Sequence, residues 1–168
     1  MKFSHAVAVA LFGVMLTGCA GSVSAPTPVQ PLSADQRTNL HIASVSADAA
    51  SGLEMSDGDL DLICQKIKAY AQTEAPGVIS DGGAGLKMQV HFTKFDRGNA
   101  FARAMLAGLG QIRIEATVDL TDASGATVGE YKVAKDFAIG GMIGASTTVE
   151  DVEEGFAKSV VEIVKAKA

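Results

Sequence analysis

Tryptophan is absent from the 168 residues, tyrosine occurs twice, and aromatic residues make up only 5% of the chain. Any core must therefore be built from aliphatic side chains and seven phenylalanines. Cysteine occurs only at positions 19 and 64, which excludes a scaffold stapled by several disulfides. Basic residues are in the minority, 14 against 19 acidic ones, giving a net charge of −5 and a pI near 5.1. That balance argues against nucleic acid as a partner, since nucleic-acid binders carry a basic face. No apolar run approaches the about 20 residues of a membrane-spanning helix. Yet the mean hydropathy, +0.24, is high for a chain with 20% charged residues. The question is where the apolar residues sit.

Many of them open the chain. Lys2 is followed by an uncharged apolar run over residues 6–16, eleven residues long, which is the length of a signal-peptide core. The run ends Leu16-Thr17-Gly18-Cys19. This resembles the bacterial lipobox, which implies cleavage between Gly18 and Cys19 and acylation of Cys19. Two or more acyl chains would hold the mature protein on a membrane, each buried methylene contributing about 0.8 kcal/mol. Ala20 follows the cysteine where Asp would favour retention at the inner membrane, so the expected location is the outer membrane, facing the periplasm. With Cys19 lipidated, Cys64 is left alone in an apolar helical stripe, as a structural cysteine.

Residues 19–37 contain three of the four prolines, at 26, 28 and 31, among Ser, Thr, Ala and Gln. They read as an extended tether. Residues 38–168 then read as one α+β domain. Residues 40–45 suggest a first strand. Ser56 and Asp59 form a capping pair ahead of Leu60, Ile63, Cys64, Ile67 and Ala71 at helical spacing, stopped by Pro76-Gly77. Leu86, Met88, Val90 and Phe92 alternate with polar residues, as do Ile112, Ile114, Ala116, Val118 and Leu120. A turn over residues 121–125 leads to a hairpin partner over 128–139. Val149, Val152, Phe156, Val160, Ile163 and Val164 mark a closing helix capped by Thr147 or Thr148. The expected order is β-α-β-(short α)-β-β-α: a mixed sheet of about four strands with two main helices on one face.

Two stretches break the pattern. Residues 97–110 carry only Arg97 and Arg103 as charges, with Asn99 placed to cap a short helix over 100–107 and Gly108 to end it. Residues 138–145 are apolar and glycine-rich where a surface loop should be polar. Hairpin pairing brings both stretches to one end of the sheet. Arg97, Asn99, Arg103, Met105, Leu106, Leu109, Met142 and Ile143 are thus candidates for a partner surface, or else for closure of one end of the core.

Residues suited to catalysis or metal binding are scattered. His41 and His91 fall on separate strands, and one buried cysteine completes no zinc set. Asp57, Asp59 and Asp61 imitate the start of a calcium loop, but Leu62 and Lys68 stand where it needs Gly and Glu. Glu150, Asp151, Glu153 and Glu154 read as an acidic first helical turn. No catalytic residue, metal or cofactor is expected, and the chain reads as a non-enzyme.

The pattern Phe95-x-Arg97-Gly98-Asn99 … Arg103 … Gly108-x-Gly110 … Asp122-Ala123-x-Gly125, followed by a glycine-rich loop and a closing helix, resembles a family of bacterial lipoproteins catalogued only as a domain of unknown function. The resemblance spans roughly residues 38–165 and implies fold and location, with no catalytic residues. The element order is also similar to TolB N-terminal-like periplasmic domains, which bind proteins. Three functions are compatible with these features. The first is a docking lipoprotein with a protein partner in the envelope. The second is a lipid- or transport-accessory role, with the apolar edge touching membrane. The third is an envelope hydrolase, which predicts a cleft of perturbed carboxylates. The oligomeric state is left open.

Overall fold

A computed structural model describes residues 23–106, 109–139 and 141–165. In chain order the elements are β1 (Thr27–Gln30), α1 (Ala34–Thr38), β2 (Ile42–Ala49), α2 (Asp57–Glu74), β3 (Leu86–Asp96), α3 (Ala100–Met105), β4 (Ile112–Thr121), β5 (Thr127–Phe137), α4 (Gly141–Ser146) and α5 (Val149–Val164). The expected α+β class with a mixed sheet and a short helix before β4 is found, with a fifth strand, β1, and two further short helices, α1 and α4, added among the described residues. The sheet order is β1-β5-β4-β3-β2, with β2 parallel to β3 and the other pairs antiparallel.

Alternation decides which face is buried. Met88, Val90, Phe92, Ile112, Ile114, Val118 and Leu120 all point into the core, where α2 and α5 cover them with Ile63, Ile67, Val152, Phe156 and Val160. Each such side chain contributes roughly 1.5–3 kcal/mol by leaving water. Phe92 and Phe156 meet at 5.3 Å between ring centroids, in a tilted pair joining sheet to helix. The register shifts between Phe92 and Lys94. That bulge switches the inward parity, so Phe95 is buried although it lies an odd number of residues from Phe92. Both long helices begin with the expected polar signals: Ser56 with Asp59, and Thr148 with Asp151, form reciprocal capping boxes.

The structure corrects three local expectations. The Pro-rich segment is not an unpacked tether: β1 pairs with β5 through Thr27↔Lys132, Pro28↔Tyr131 and Gln30↔Glu130. A proline lacks an N–H donor, which an edge strand tolerates. Beyond it, Leu32 is 4% exposed and donates its N–H to Tyr131 Oη at 2.9 Å, and Ser33 with Gln36 caps α1. The first core strand runs to Ala49 rather than ending at 45, because Ser46 and Asp48 reach polar partners on β3. Residues 141–146, read as loop, form one and a half turns of helix.

α2 and α5 run side by side in the same direction. Lys66 meets the buried Glu153 at 2.6 Å, Tyr70 bonds Glu154, and Lys165 meets Glu74 at 2.9 Å. Both N-terminal ends therefore lie at one end of the domain and both C-terminal ends at the other. The pairing Ile112↔Phe137 places α3 and α4 at the N-terminal end, as expected for the two glycine-rich stretches.

Candidate interaction edge

Arg103 organises this end. Its side chain is 3% exposed and donates to three main-chain carbonyls: Nη1 to Gly110 at 2.8 Å, Nε to Gly144 at 2.9 Å, and Nη2 to Thr147 at 3.0 Å. Two of these carbonyls close α4, where a helix end attracts a cation. One guanidinium thus ties α3, the start of β4 and α4 together, which a fork of five donors can do and a single ammonium cannot.

The glycines explain themselves against that cluster. Gly98 has a φ of +64°, and a Cβ there would stand 2.4 Å from the Gly110 carbonyl oxygen. Gly110 has a φ of +69°, and a Cβ would stand 2.3 Å from the Asn99 carbonyl oxygen. At Gly144 the obstacle is the Ile139 carbonyl oxygen at 2.2 Å. Backbones approach too closely for any side chain, and two positions need left-handed φ as well. Asn99 caps α3, its side chain accepting from Ala102 N at 2.9 Å, while its own N–H donates to the Gly110 carbonyl at 3.1 Å.

The candidate surface therefore divides. Arg103 faces inward and Asn99 is occupied as a cap. Arg97 lies against the Phe95 ring at 4.9 Å and donates to Asp59 at 3.0 Å, binding the loop to the start of α2. Met105, Leu106, Leu109, Met142 and Ile143 face solvent, with Met142 90% and Met105 68% exposed. Phe101, at 75%, and Ile139 join them, neither anticipated from sequence. Phe101 was detectable, one helical turn before Met105. Of ten large exposed apolar side chains among the described residues, these seven lie at this one end, so the exposure is a patch rather than scatter. Ala107, Gly108 and Gly140 lie outside the described residues, as do Gly18 and Cys19.

The remaining reactive groups are engaged elsewhere. Burial pushes the thiol of half-buried Cys64 above its usual pKa, disfavouring the thiolate. His41 bonds the Ala84 carbonyl at 2.8 Å and Ser80 Oγ at 2.7 Å, and His91 pairs with Asp48. Asp119, near His91 and Asp48 on the polar face of the sheet, has its carboxyl pushed up by partial burial and then by Glu130. The acidic turn of α5 is not uniformly solvated: Glu153 is buried against Lys66. It sits three residues before Phe156 and four after Val149, on the inward stripe. Among the described residues no group of His, Cys, Asp and Glu could hold a metal ion, and no helix is long and apolar enough to cross a membrane.

Residues 60–141 match the model of a family described as Domain of unknown function (DUF4410). The match runs from the first turn of α2 to the start of α4 and includes Gly98, Arg103 and Gly110, while Gly144 and Thr147 lie beyond it. No curated protein matches the chain. Among solved structures, the fold is similar to that of PelC from Paraburkholderia phytofirmans, a dodecamer, with a TM-score of 0.56 and 14% identity over 82% of this chain and 94% of that one. A singly substituted form of the same dodecamer gives a TM-score of 0.53 and 15% identity, covering 88% and 95%. A proposed lipoprotein from Caulobacter crescentus CB15 is 19% identical over 72% of this chain and 84% of its own, with a TM-score of 0.41.

Proposed function

We propose that this chain is a lipid-anchored protein of the bacterial envelope that docks another protein on its α3/α4 edge and catalyses no reaction. Acylation of Cys19 would supply the anchor, and Ala20 favours the outer membrane with the domain in the periplasm. The observation that carries the docking reading is the apolar patch itself. Seven exposed apolar side chains stand on a platform fixed by Arg103 and by glycines that admit no Cβ. Such preorganisation lowers the ordering cost of association. The PelC structures, which share the fold, are dodecamers, so self-association is the first form of docking to measure.

A second reading, contact with lipid, follows from the same apolar character. The surroundings favour protein. Asp57, Asp61 and Glu150 are exposed at the N-terminal ends of α2 and α5, beside the patch, where they would meet repulsion from an anionic leaflet.

The test is Met105→Asp with Ile143→Asp in the full-length protein. Both side chains are exposed, so the folded state is expected to lose under about 1 kcal/mol. In-cell crosslinking from Phe101 and sedimentation of the purified protein should lose their partner or oligomer signal. A folded double variant that keeps both signals rejects the edge. Binding of the unlipidated domain to liposomes, abolished by the same pair, would favour the lipid reading.

A further inference from the structure

The acylated cysteine of the proposed anchor is only four residues from Val23. Fully extended chain spans at most about 3.6 Å per residue, so the Cys19 backbone stays within about 14 Å of Val23 on any path. Val23 itself has a fixed place. It lines a groove of about 220 Å³ between the last turns of α2 and α5, with Thr73, Glu74, Val161 and Lys165. The next residues hold it there: Ser24 N donates to Ser159 Oγ at 2.7 Å, β1 pairs with β5, and Leu32 is buried.

The apolar edge is at the opposite end. Thr147, whose carbonyl accepts from Arg103, lies two residues before the start of α5 at Val149, and Val161 lies twelve residues beyond Val149. At 1.5 Å rise per residue, that separates the groove from the edge by about 18 Å along the helix. The edge end also carries the exposed acids named above, whereas the groove end carries Lys165 between Glu74 and Glu162. An anionic leaflet repels the former more than the latter.

We infer that the C-terminal ends of α2 and α5 form the membrane-facing end of the domain, and that the apolar edge points away from the anchoring bilayer. This rests on the lipid-anchor reading. The docked arm acts as a short strap rather than a long leash, and it presents the edge to partners arriving from the far side.

The experiment uses the lipidated full chain in vesicles of phosphatidylethanolamine and phosphatidylglycerol containing a headgroup-nitroxide lipid. Single fluorophores are attached at Thr73→Cys or Met142→Cys, each in a Cys64→Ala background; Gln72→Cys serves as a second groove-end site. The label at the groove end should lose most of its emission to the nitroxide, and the label at Met142 should lose little. Equal quenching, or stronger quenching at Met142, overturns the orientation. Intact mass of the same preparations reads acylation separately. An unmodified Cys19 overturns the anchor reading and this one with it, while a modified Cys19 with a quenched Met142 overturns the orientation alone.

Discussion

Replacing Arg103 by Ala takes the guanidinium donor from the buried Gly144 and Thr147 carbonyls, each at a cost of about 1–3 kcal/mol when left unsatisfied, while the Gly110 carbonyl keeps the Asn99 N–H. Relaxation and water entry recover part of this, so urea denaturation should show a loss of about 3 kcal/mol. Lys at this position should recover less than half of it, because one compact ammonium cannot span carbonyls on α4 and β4 together. If Lys restored full stability, the fork geometry would not matter and charge alone would suffice. The role of this residue was not legible in the sequence. An arginine in an apolar segment invites a surface reading, since arginine is rarely buried unless paired. The surrounding glycines at 98 and 110 did signal tight backbone. What they could not reveal is that the backbone closes on the guanidinium.

The pairing of α2 with α5 has a pH signature. Tyr70 donates to Glu154, and its pKa is pushed up to about 12, first by burial and then by that bond. The same bond lowers the pKa of Glu154 from the ordinary 4.5. A raised folded-state value means that the Tyr70 contribution is complete below its unfolded pKa of about 10 and is lost as pH rises toward 12. The Glu154 contribution has the opposite sense: complete above 4.5 and lost as pH falls through its depressed folded value. Urea midpoints should therefore drop on both limbs in the native protein, and Tyr70→Phe should flatten both. The Lys158 contact over the ring, at 4.9 Å, survives that substitution and isolates the hydroxyl. Identical slopes in the two proteins would sink the argument. Elements of this kind were readable where periodicity runs long, as in β3, β4, α2 and α5. Helix α4 was not, because Gly-Met-Ile-Gly-Ala-Ser carries weak helix propensity and is held by Arg103 instead. Glu153 lay on the inward stripe of α5 all along, but its partner Lys66 is 87 residues away, and only the packing of the two helices brings them together.

At the scale of the molecule, the arm decides where the folded unit begins. Composition reads residues 19–37 as a tether, because prolines cannot donate and small polar residues bury little. Three facts outweigh composition: the edge of β5 offers unpaired backbone, Gly129 leaves room for the Leu32 side chain, and the Tyr131 hydroxyl accepts the Leu32 N–H. A paired substitution separates the two descriptions. Leu32→Ala removes a buried side chain and should lower stability by about 2–3 kcal/mol, at the lower end for leucine truncations because the site lies at the sheet edge. Val29→Ala, in the same segment but 52% exposed, should cost under about 0.5 kcal/mol. A free tether predicts no cost for either. Global unfolding monitored in urea distinguishes them, since an arm that frayed independently would leave the main transition untouched in both variants. If Leu32→Ala shifts the main transition, the arm belongs to the cooperative unit, and the segment that composition reads as tether is part of the fold.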